Sequence, residues 1–188
     1  MSPPSLLAAR RSMNLTPFSR LPRPCRRDLS GPELQSFVAE LAGRPELWIH
    51  LVKHDSTQRQ YEELFSDDHL TAWLICWMKG HDTGFHDHDG SAGAVTVVSG
   101  AVREERLVID GPPHKRVCTV GDLFQFSPAD IHRVRHVGSD PAVTLHVYSP
   151  PLQRMGAYLV DEHGALVRHP VSNTEELRPL RVSADRTS

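Results

Sequence analysis

The residues that most clearly could carry chemistry in this sequence are two histidines, His86 and His88, with one residue between them. Side chains at positions i and i+2 of a β-strand point to the same face of the sheet. Both imidazoles would therefore aim at one point, whereas Asp87 would point in the opposite direction. Because the pair lies between glycines in an apolar, strand-like region, we interpret it as part of a metal site.

A metal site of this kind needs a third ligand, and two further histidines have a suitable context. His132 follows a strand-like run and a proline turn, and His146 lies in an alternating run, on one face with Thr144 and Tyr148. Spacing alone leaves both histidines open as the third ligand. His136 shares the strand face of His132 but would lie about 13 Å away along it. The other histidines have no such context and are interpreted as surface residues: His50, His54, His69, His81, His114, His163 and His169.

The composition favours imidazole ligands in a soluble domain. The chain has 188 residues, 12 histidines and only 3 cysteines, which are widely spaced and form no C-x-x-C pair. We interpret these cysteines as free thiols in a reducing cytoplasm. The net charge of −2 provides no field that would hold nucleic acid or an anionic membrane. The longest apolar run, 70–78, is about half as long as a membrane-spanning helix.

Short strands must position these histidines. From residue 70 the hydrophobic period is two, and glycines interrupt it every ten residues or so, which is typical of a β-sandwich or barrel. The predicted strands are 70–78, 84–89, 92–99, 102–109, 115–119, 122–126, 131–137 and 142–148. The fold class is therefore mainly β.

Helices are predicted ahead of the strands. Leu34, Phe37, Val38 and Leu41 follow helical spacing after a proline, and a second helix is predicted to start at Pro45 and to bury Trp48, Leu51 and Val52. We divide the chain into three parts. A basic, proline-rich and flexible tail covers 1–29, one domain with the helices covers 30–165, and a loose extension covers 166–188.

The histidine segments also carry a family resemblance. The pattern Gly80-(x5)-His86-x-His88, ending at Gly100, resembles the first motif of the cupin superfamily, and the run from Gly121 through Pro128 to His132 resembles the second. Gly93 stands where the usual glutamate ligand would be, and the absence of that carboxylate resembles the cysteine dioxygenase family of cupins. The runs Cys76-Trp77, 132–134 and 145–151 extend this resemblance, which covers about residues 58–158. It implies a cupin-type small β-barrel.

The resemblance also implies roles for single residues. His86, His88 and His132 would be ligands of Fe(II), Tyr148 the active-site phenol and His146 the partner that orients it. Trp77 would form a wall of the pocket. In this family such a site converts a small thiol and O2 to a sulfinic acid, and members are often monomers. A Cys–Tyr thioether crosslink is not expected, because Gly93 replaces the cysteine.

One position suggests an unusual substrate. The family carries an arginine two residues after a tyrosine, and this arginine binds the substrate carboxylate. Aligning Tyr61 on that tyrosine puts Glu63 at the arginine position. The reversed charge would favour a cationic or zwitterionic thiol such as ergothioneine. In the alternative register, Arg59 binds a carboxylate and the family's default substrate, cysteine, is retained.

Two other classes of function stay open from the sequence. A zinc ion on three histidines would favour a cupin hydrolase or hydratase, because zinc-bound water ionises readily. A non-catalytic, metal-binding cupin sensor is the other class, with the basic tail available for a partner. Tyr148 and His146 argue against a sensor, because a binding cavity alone does not need that phenol.

Overall fold

A computed structural model describes residues 27–180. Most of the tail predicted for 1–29 and the last eight residues of the predicted extension lie outside this range. Leu29 is already part of the packed structure, since it is buried and its backbone N–H donates to Ser149 Oγ over 2.8 Å. No helix in the described range is long and apolar enough to cross a membrane.

Within residues 27–180 the chain forms one α-helix, two short 3-10 helices and eleven strands. The helices are α1 (Gly31–Ala42) and the 3-10 turns Pro45–Leu47 and Ile49–Leu51. The strands are β1 (Gln60–Ser66), β2 (Thr71–Trp77), β3 (Phe85–Asp87), β4 (Ala92–Ser99), β5 (Ala101–Arg106), β6 (His114–Thr119), β7 (Leu123–Phe126), β8 (His132–Val137), β9 (Ala142–Ser149), β10 (Arg154–Val160) and β11 (Leu166–Ser172).

The strands form two antiparallel sheets. One has the order β1-β2-β9-β4-β7 and the other β11-β10-β3-β8-β5-β6. Val95 and Phe124 of the first sheet share one buried cluster with Val102 and Val134 of the second, so the two sheets enclose a common core. The prediction of a mainly β, cupin-type fold with an N-terminal helix is confirmed.

Helix α1 covers the outer face of the five-stranded sheet. Ser30 and Glu33 form a capping box at its start, and its apolar stripe packs against β4 and β9. The predicted second α-helix is wrong, because the backbone at Trp48 leaves helical geometry (φ −137°) and separates two 3-10 turns. The indole of Trp48 is buried and donates to the carbonyl of Leu41, near the end of α1, over 3.0 Å.

The prediction of a loose extension from residue 166 is wrong for residues 166–180, which pack against the rest of the domain. Strand β11 pairs with β10 along seven residues, and the following residues run back to the start of β1. Few side chains of β11 are apolar and inward, so the alternation that marks other strands is missing there. Arg168 instead ties β11 to the barrel through a bidentate pair with Asp87 of β3.

Candidate active site

Three buried histidines converge between the sheets. His86 and His132 are register partners on β3 and β8, and His88 follows directly after β3. One ring nitrogen from each histidine lies within 4.8 Å of the others, a spacing that one metal ion could bridge. The structure thus groups His132 with the pair, whereas His146, the other candidate for the third position, lies outside this group.

Hydrogen bonds at Nδ1 set the ring orientations of two of these histidines. His86 Nδ1 lies 3.1 Å from the Gly84 carbonyl, and His132 Nδ1 lies 3.0 Å from Glu104 Oε1. Since a carbonyl and a carboxylate only accept, each Nδ1 carries the hydrogen and each Nε2 keeps its lone pair. His132 Nε2 is buried without a protein partner, as expected of an atom that awaits a metal.

Burial keeps these imidazoles neutral. It lowers the pKa of His86, His88 and His132 below the ordinary value, because a buried cation loses its hydration. Three neutral nitrogen donors suit iron, zinc or a similar divalent metal and would leave it its full charge. The residues present therefore fit a bound metal.

A chain of hydrogen bonds runs beside the three histidines. Trp77 Nε1 donates to Thr144 Oγ1 over 2.8 Å, and Thr144 Oγ1 lies 2.7 Å from His146 Nε2. His146 Nδ1 in turn lies 3.2 Å from the Tyr148 hydroxyl. Thr144, His146 and Tyr148 alternate along β9 and share its inward face, so the strand geometry that the sequence predicted builds this chain.

Only one assignment of donors and acceptors along these hydrogen bonds gives every polar hydrogen an acceptor. Among the described residues, the Thr144 hydroxyl bonds only Trp77 and His146, so it accepts from the indole and donates to His146 Nε2. His146 then carries its hydrogen on Nδ1 and donates it to the Tyr148 oxygen. The hydroxyl hydrogen of Tyr148 is left for a group in the cavity.

Burial holds both end groups of this chain neutral. It lowers the pKa of His146 to about 3, together with the positive charges of a protonated His132 and of Arg59. Burial also raises the pKa of Tyr148 above its ordinary value, so the phenol keeps its proton at neutral pH. Tyr148 is thus a hydrogen-bond donor and not a base.

One cavity joins the histidines and Tyr148 to a single buried cation. Arg59 is 6% exposed, and its guanidinium lies 4.9 Å from the ring centroid of Trp77. Its Nη2 donates to the Leu177 carbonyl over 2.7 Å, whereas its buried Nη1 has no partner. Burial lowers the pKa of Arg59 to about 10, so the side chain stays charged at neutral pH.

The other residues predicted at the substrate lie in different places. Tyr61 and Trp77 line the cavity, and the Tyr61 hydroxyl donates to the Thr174 carbonyl over 3.0 Å. Glu63 is exposed and is not among the residues that line the cavity, although it pairs with Trp73 in the β1–β2 register. The charge that suggested a cationic thiol therefore lies outside the cavity.

Sequence reasoning missed several residues of the site. Trp73 lines the cavity and its indole Nε1 is buried without a partner; its i+4 spacing to Trp77 on β2 was a usable signal. Glu104 and the cavity-lining residues Glu176 and Leu177 had no local signal, because distant segments bring them to the site. His81 was predicted at the surface but is buried, and its Nδ1 accepts from the Met78 N–H.

The neighbourhood of Gly93 is closely packed. A Cβ at this position would lie 2.3 Å from Phe126 Cζ. The Phe126 ring stacks on His88, with ring centroids 4.2 Å apart. Phe126 thus occupies space that a side chain at position 93 would need, so the glycine and the phenylalanine are coupled.

The sequence of this chain is similar to a known protein family and to several of its members. The family model described as cysteine dioxygenase type I matches residues 25–161. Cysteine dioxygenase type 1 of Danio rerio is 28% identical over 134 residues, which cover 64% of this chain and 66% of that protein, just under two thirds. Cysteine dioxygenase type 1 of Homo sapiens is 26% identical over 140 residues, which cover 67% and 68% of the two chains.

Solved structures resemble the fold more distantly. TT1209 from Thermus thermophilus has a TM-score of 0.48 at 19% identity, covering 55% of this chain and 93% of that one. KdgF from Halomonas sp. has a TM-score of 0.45 at 21% identity, covering 52% and 85% of the two chains.

Proposed function

Since the chain belongs to the cysteine dioxygenase type I family, we propose that it is a non-haem iron thiol dioxygenase. The reaction is RSH + O2 → RSO2H, so both oxygen atoms of O2 enter the sulfinic acid. The observation that carries this proposal is one cavity that contains three neutral histidine donors, the Tyr148 hydroxyl and the unpartnered Nη1 of Arg59.

Iron is the metal we propose for the three histidines. Fe(II) on His86, His88 and His132 would supply open positions at which a thiolate and O2 meet in a favourable orientation. The imidazoles contribute no negative charge, so the full charge of the metal is available to stabilise a thiolate. The neutral state of these rings, which burial favours, is the state that the role requires.

Tyr148 is proposed to donate a hydrogen bond to the reacting oxygen or sulfur atoms. His146 holds the phenol oxygen from the other side, so the hydroxyl can rotate only toward the cavity. Thr144 and Trp77 fix the His146 tautomer in turn. Such buried donors stabilise developing negative charge without reorganisation, because they are already in place.

Arg59 is proposed to bind a carboxylate of the thiol substrate. A buried guanidinium nitrogen without a partner is costly, and a carboxylate is the group that satisfies it best. Ergothioneine as substrate depends on a cation-binding Glu63, and that residue is exposed beside the cavity. We therefore propose a small thiol that carries a carboxylate, with cysteine as the first compound to test.

The test is thiol-dependent oxygen uptake coupled to sulfinate formation. Protein loaded anaerobically with Fe(II) is given cysteine, ergothioneine or cysteamine, a thiol without a carboxylate. We expect turnover to be fastest with cysteine and to be lost in His86→Ala. Zinc as the metal that supports activity, or iron-loaded protein with no thiol-dependent oxygen uptake, would contradict the proposal.

The carboxylate site is tested by a pair of variants. Arg59→Gln should raise KM for cysteine about 10- to 100-fold, because a charge-assisted hydrogen bond is lost, while cysteamine turnover changes little. Glu63→Gln is the matched control on the same strand region and should leave both substrates unchanged. A change in cysteine preference in Glu63→Gln and none in Arg59→Gln would restore the charge-reversal hypothesis.

A further inference from the structure

A buried carboxylate stands directly behind one of the three histidines. Glu104 of β5 is 3% exposed, and its Oε1 accepts from His132 Nδ1 over 3.0 Å. The opposite ring atom, Nε2, is the buried nitrogen that has no protein partner. The contact therefore fixes both the tautomer and the direction of the lone pair of His132.

The other ligand with a partner on Nδ1 has a different environment. His86 Nδ1 meets a neutral backbone carbonyl, that of Gly84, whereas His132 Nδ1 meets a charged carboxylate. A carboxylate draws the Nδ1 hydrogen toward itself and makes Nε2 a stronger electron donor than a carbonyl does. His132 thus differs from His86 in donor strength although both are neutral imidazoles.

Two arginines also bond Glu104, one on the oxygen that it shares with His132 and one on the other oxygen. Arg106 Nη2 donates to Oε1 over 2.8 Å, and Arg116 Nε donates to Oε2 over 2.7 Å. Both arginines line a second pocket, on the side of β5 and β6 where Arg116 is 39% exposed. Glu104 therefore connects two partly exposed arginines, Arg106 and Arg116, to His132.

We propose that Glu104 is a positioning residue that aims His132 Nε2 at the metal and makes His132 the strongest donor of the three ligands. The consequence is a lower reduction potential, since a stronger donor stabilises the more highly charged ion. Arg116 moderates this effect, because its positive charge offsets part of the carboxylate charge. The inference rests on the proposed function and deepens it, in that Glu104 would set the donor strength of one of the residues that would hold the iron.

The experiment compares matched glutamate variants. Glu104→Gln keeps an oxygen acceptor for His132 but removes the charge. Glu105→Gln makes the same change at the next residue, which is also buried and whose ion pairs are with Arg103 and, at 3.9 Å, with Arg133 and not with one of the three histidines. Binding is measured by anaerobic titration with Co(II), and the potential by redox titration of the iron-loaded protein.

In Glu104→Gln we expect Co(II) to bind about 10- to 100-fold more weakly. We also expect the ferric-to-ferrous ratio at a given applied potential to fall about tenfold, which is a rise of about 59 mV for one electron. Glu105→Gln should match the wild type in both measurements. Equal shifts in the two variants, or none in Glu104→Gln, would overturn the proposal.

Arg116→Gln supplies a test of opposite sign. Removing this cation leaves the Glu104 charge less compensated, so the potential should fall instead of rise. A purely structural role would shift the potential in the same direction in both variants, and that result would also overturn the proposal. If Glu104→Gln does not fold, ¹⁵N NMR of His132 in the metal-free wild type tests the proposal instead. We expect Nδ1 to carry the hydrogen and Nε2 to carry none, and the opposite tautomer would overturn the proposal.

The two proposals fail in different ways. Wild-type protein that binds Co(II) and follows the expected order of potentials but oxidises no thiol would refute only the dioxygenase function. Active protein in which Glu104→Gln and Glu105→Gln behave alike would refute only the role of Glu104.

Discussion

The Tyr148 hydroxyl oxygen lies 3.2 Å from His146 Nδ1, and both residues point inward from the same strand. Thr144 holds the other ring nitrogen at 2.7 Å, so the imidazole cannot turn without breaking two contacts. The tyrosine is therefore held as a donor toward the cavity, with His146 behind it.

Tyr148→Phe should lower the turnover of the preferred thiol about 10- to 100-fold while metal binding stays unchanged. The variant removes the donor but keeps the ring that lies near His88. Oxygen uptake and Co(II) titration measure the two properties. Tyr158→Phe is the comparison, since its hydroxyl bonds Asp87 outside the cavity and Asp87 keeps its bidentate partner Arg168; the loss of turnover should be smaller than in Tyr148→Phe, and equal losses in both variants would remove Tyr148 from the mechanism.

Gly93→Ala should destabilise the protein by about 1–3 kcal/mol, because the added methyl group overlaps Phe126 and forces its ring to move. Co(II) binding should weaken as well, since Phe126 stacks on His88. Urea unfolding and metal titration measure these effects. Gly90→Ala, where an added Cβ meets nothing within 4 Å, should be close to neutral, and a Phe126→Leu change should partly rescue Gly93→Ala.

The metal-free protein should lose stability as the pH falls below 6.5. Burial lowers the pKa of His146 to about 3 in the folded state, so the unfolded chain takes up the proton more readily. The stabilisation is complete above the unfolded pKa of about 6.5 and disappears as the pH approaches the folded value. Between pH 7.5 and 5.5 this one histidine accounts for a loss of about 1.4 kcal/mol.

Urea unfolding at these two pH values checks the prediction. His146→Gln should reduce the loss by about 1.4 kcal/mol, because the titrating group is gone. His163→Gln, in the exposed turn between β10 and β11, should leave the loss unchanged. A pH dependence that is the same in all three proteins would contradict this account.

Arg168→Met should lower the free energy of unfolding by about 2 kcal/mol, because Asp87 loses a bidentate cationic partner. Burial raises the pKa of Asp87, but the hydrogen bonds from Arg168 and Tyr158 outweigh it and hold that pKa well below its ordinary value. Metal affinity should also fall, since Asp87 lies between His86 and His88.

Arg154→Met is the matched control for this prediction. Arg154 lies on the adjacent strand, but its side chain is 74% exposed and makes one 3.3 Å contact with Asp89. An exposed pair of this kind contributes little, so the change should stay within about 0.5 kcal/mol. Equal destabilisation by the two variants would show that β11 is not held through Asp87.

Local pattern was enough for the main elements of the fold. The period of two predicted most of β2 to β9, and helical spacing predicted α1. Glycines correctly indicated turns, as at Gly100, which has φ +65° and whose Cβ would lie 2.5 Å from the Pro141 carbonyl oxygen. Strands β1, β10 and β11 were not among the predicted strands, and β11 is attached through an ion pair with a distant aspartate and not through an apolar stripe.

The sequence by itself determined that His86 and His88 share a face and that Thr144, His146 and Tyr148 share another, since side-chain direction follows from strand period alone. Spacing left His132 and His146 open as the third histidine, the family resemblance named His132, and the tertiary structure groups His132 with the pair. Only the tertiary structure decided that Arg59 lies in the cavity and Glu63 outside it, and that Glu104 stands behind His132. These outcomes depend on which strands are paired and in what register, and on a C-terminal segment 118 residues from Arg59. A local pattern predicts which face of a strand a residue occupies, but the packing of distant segments decides which other residues lie next to it.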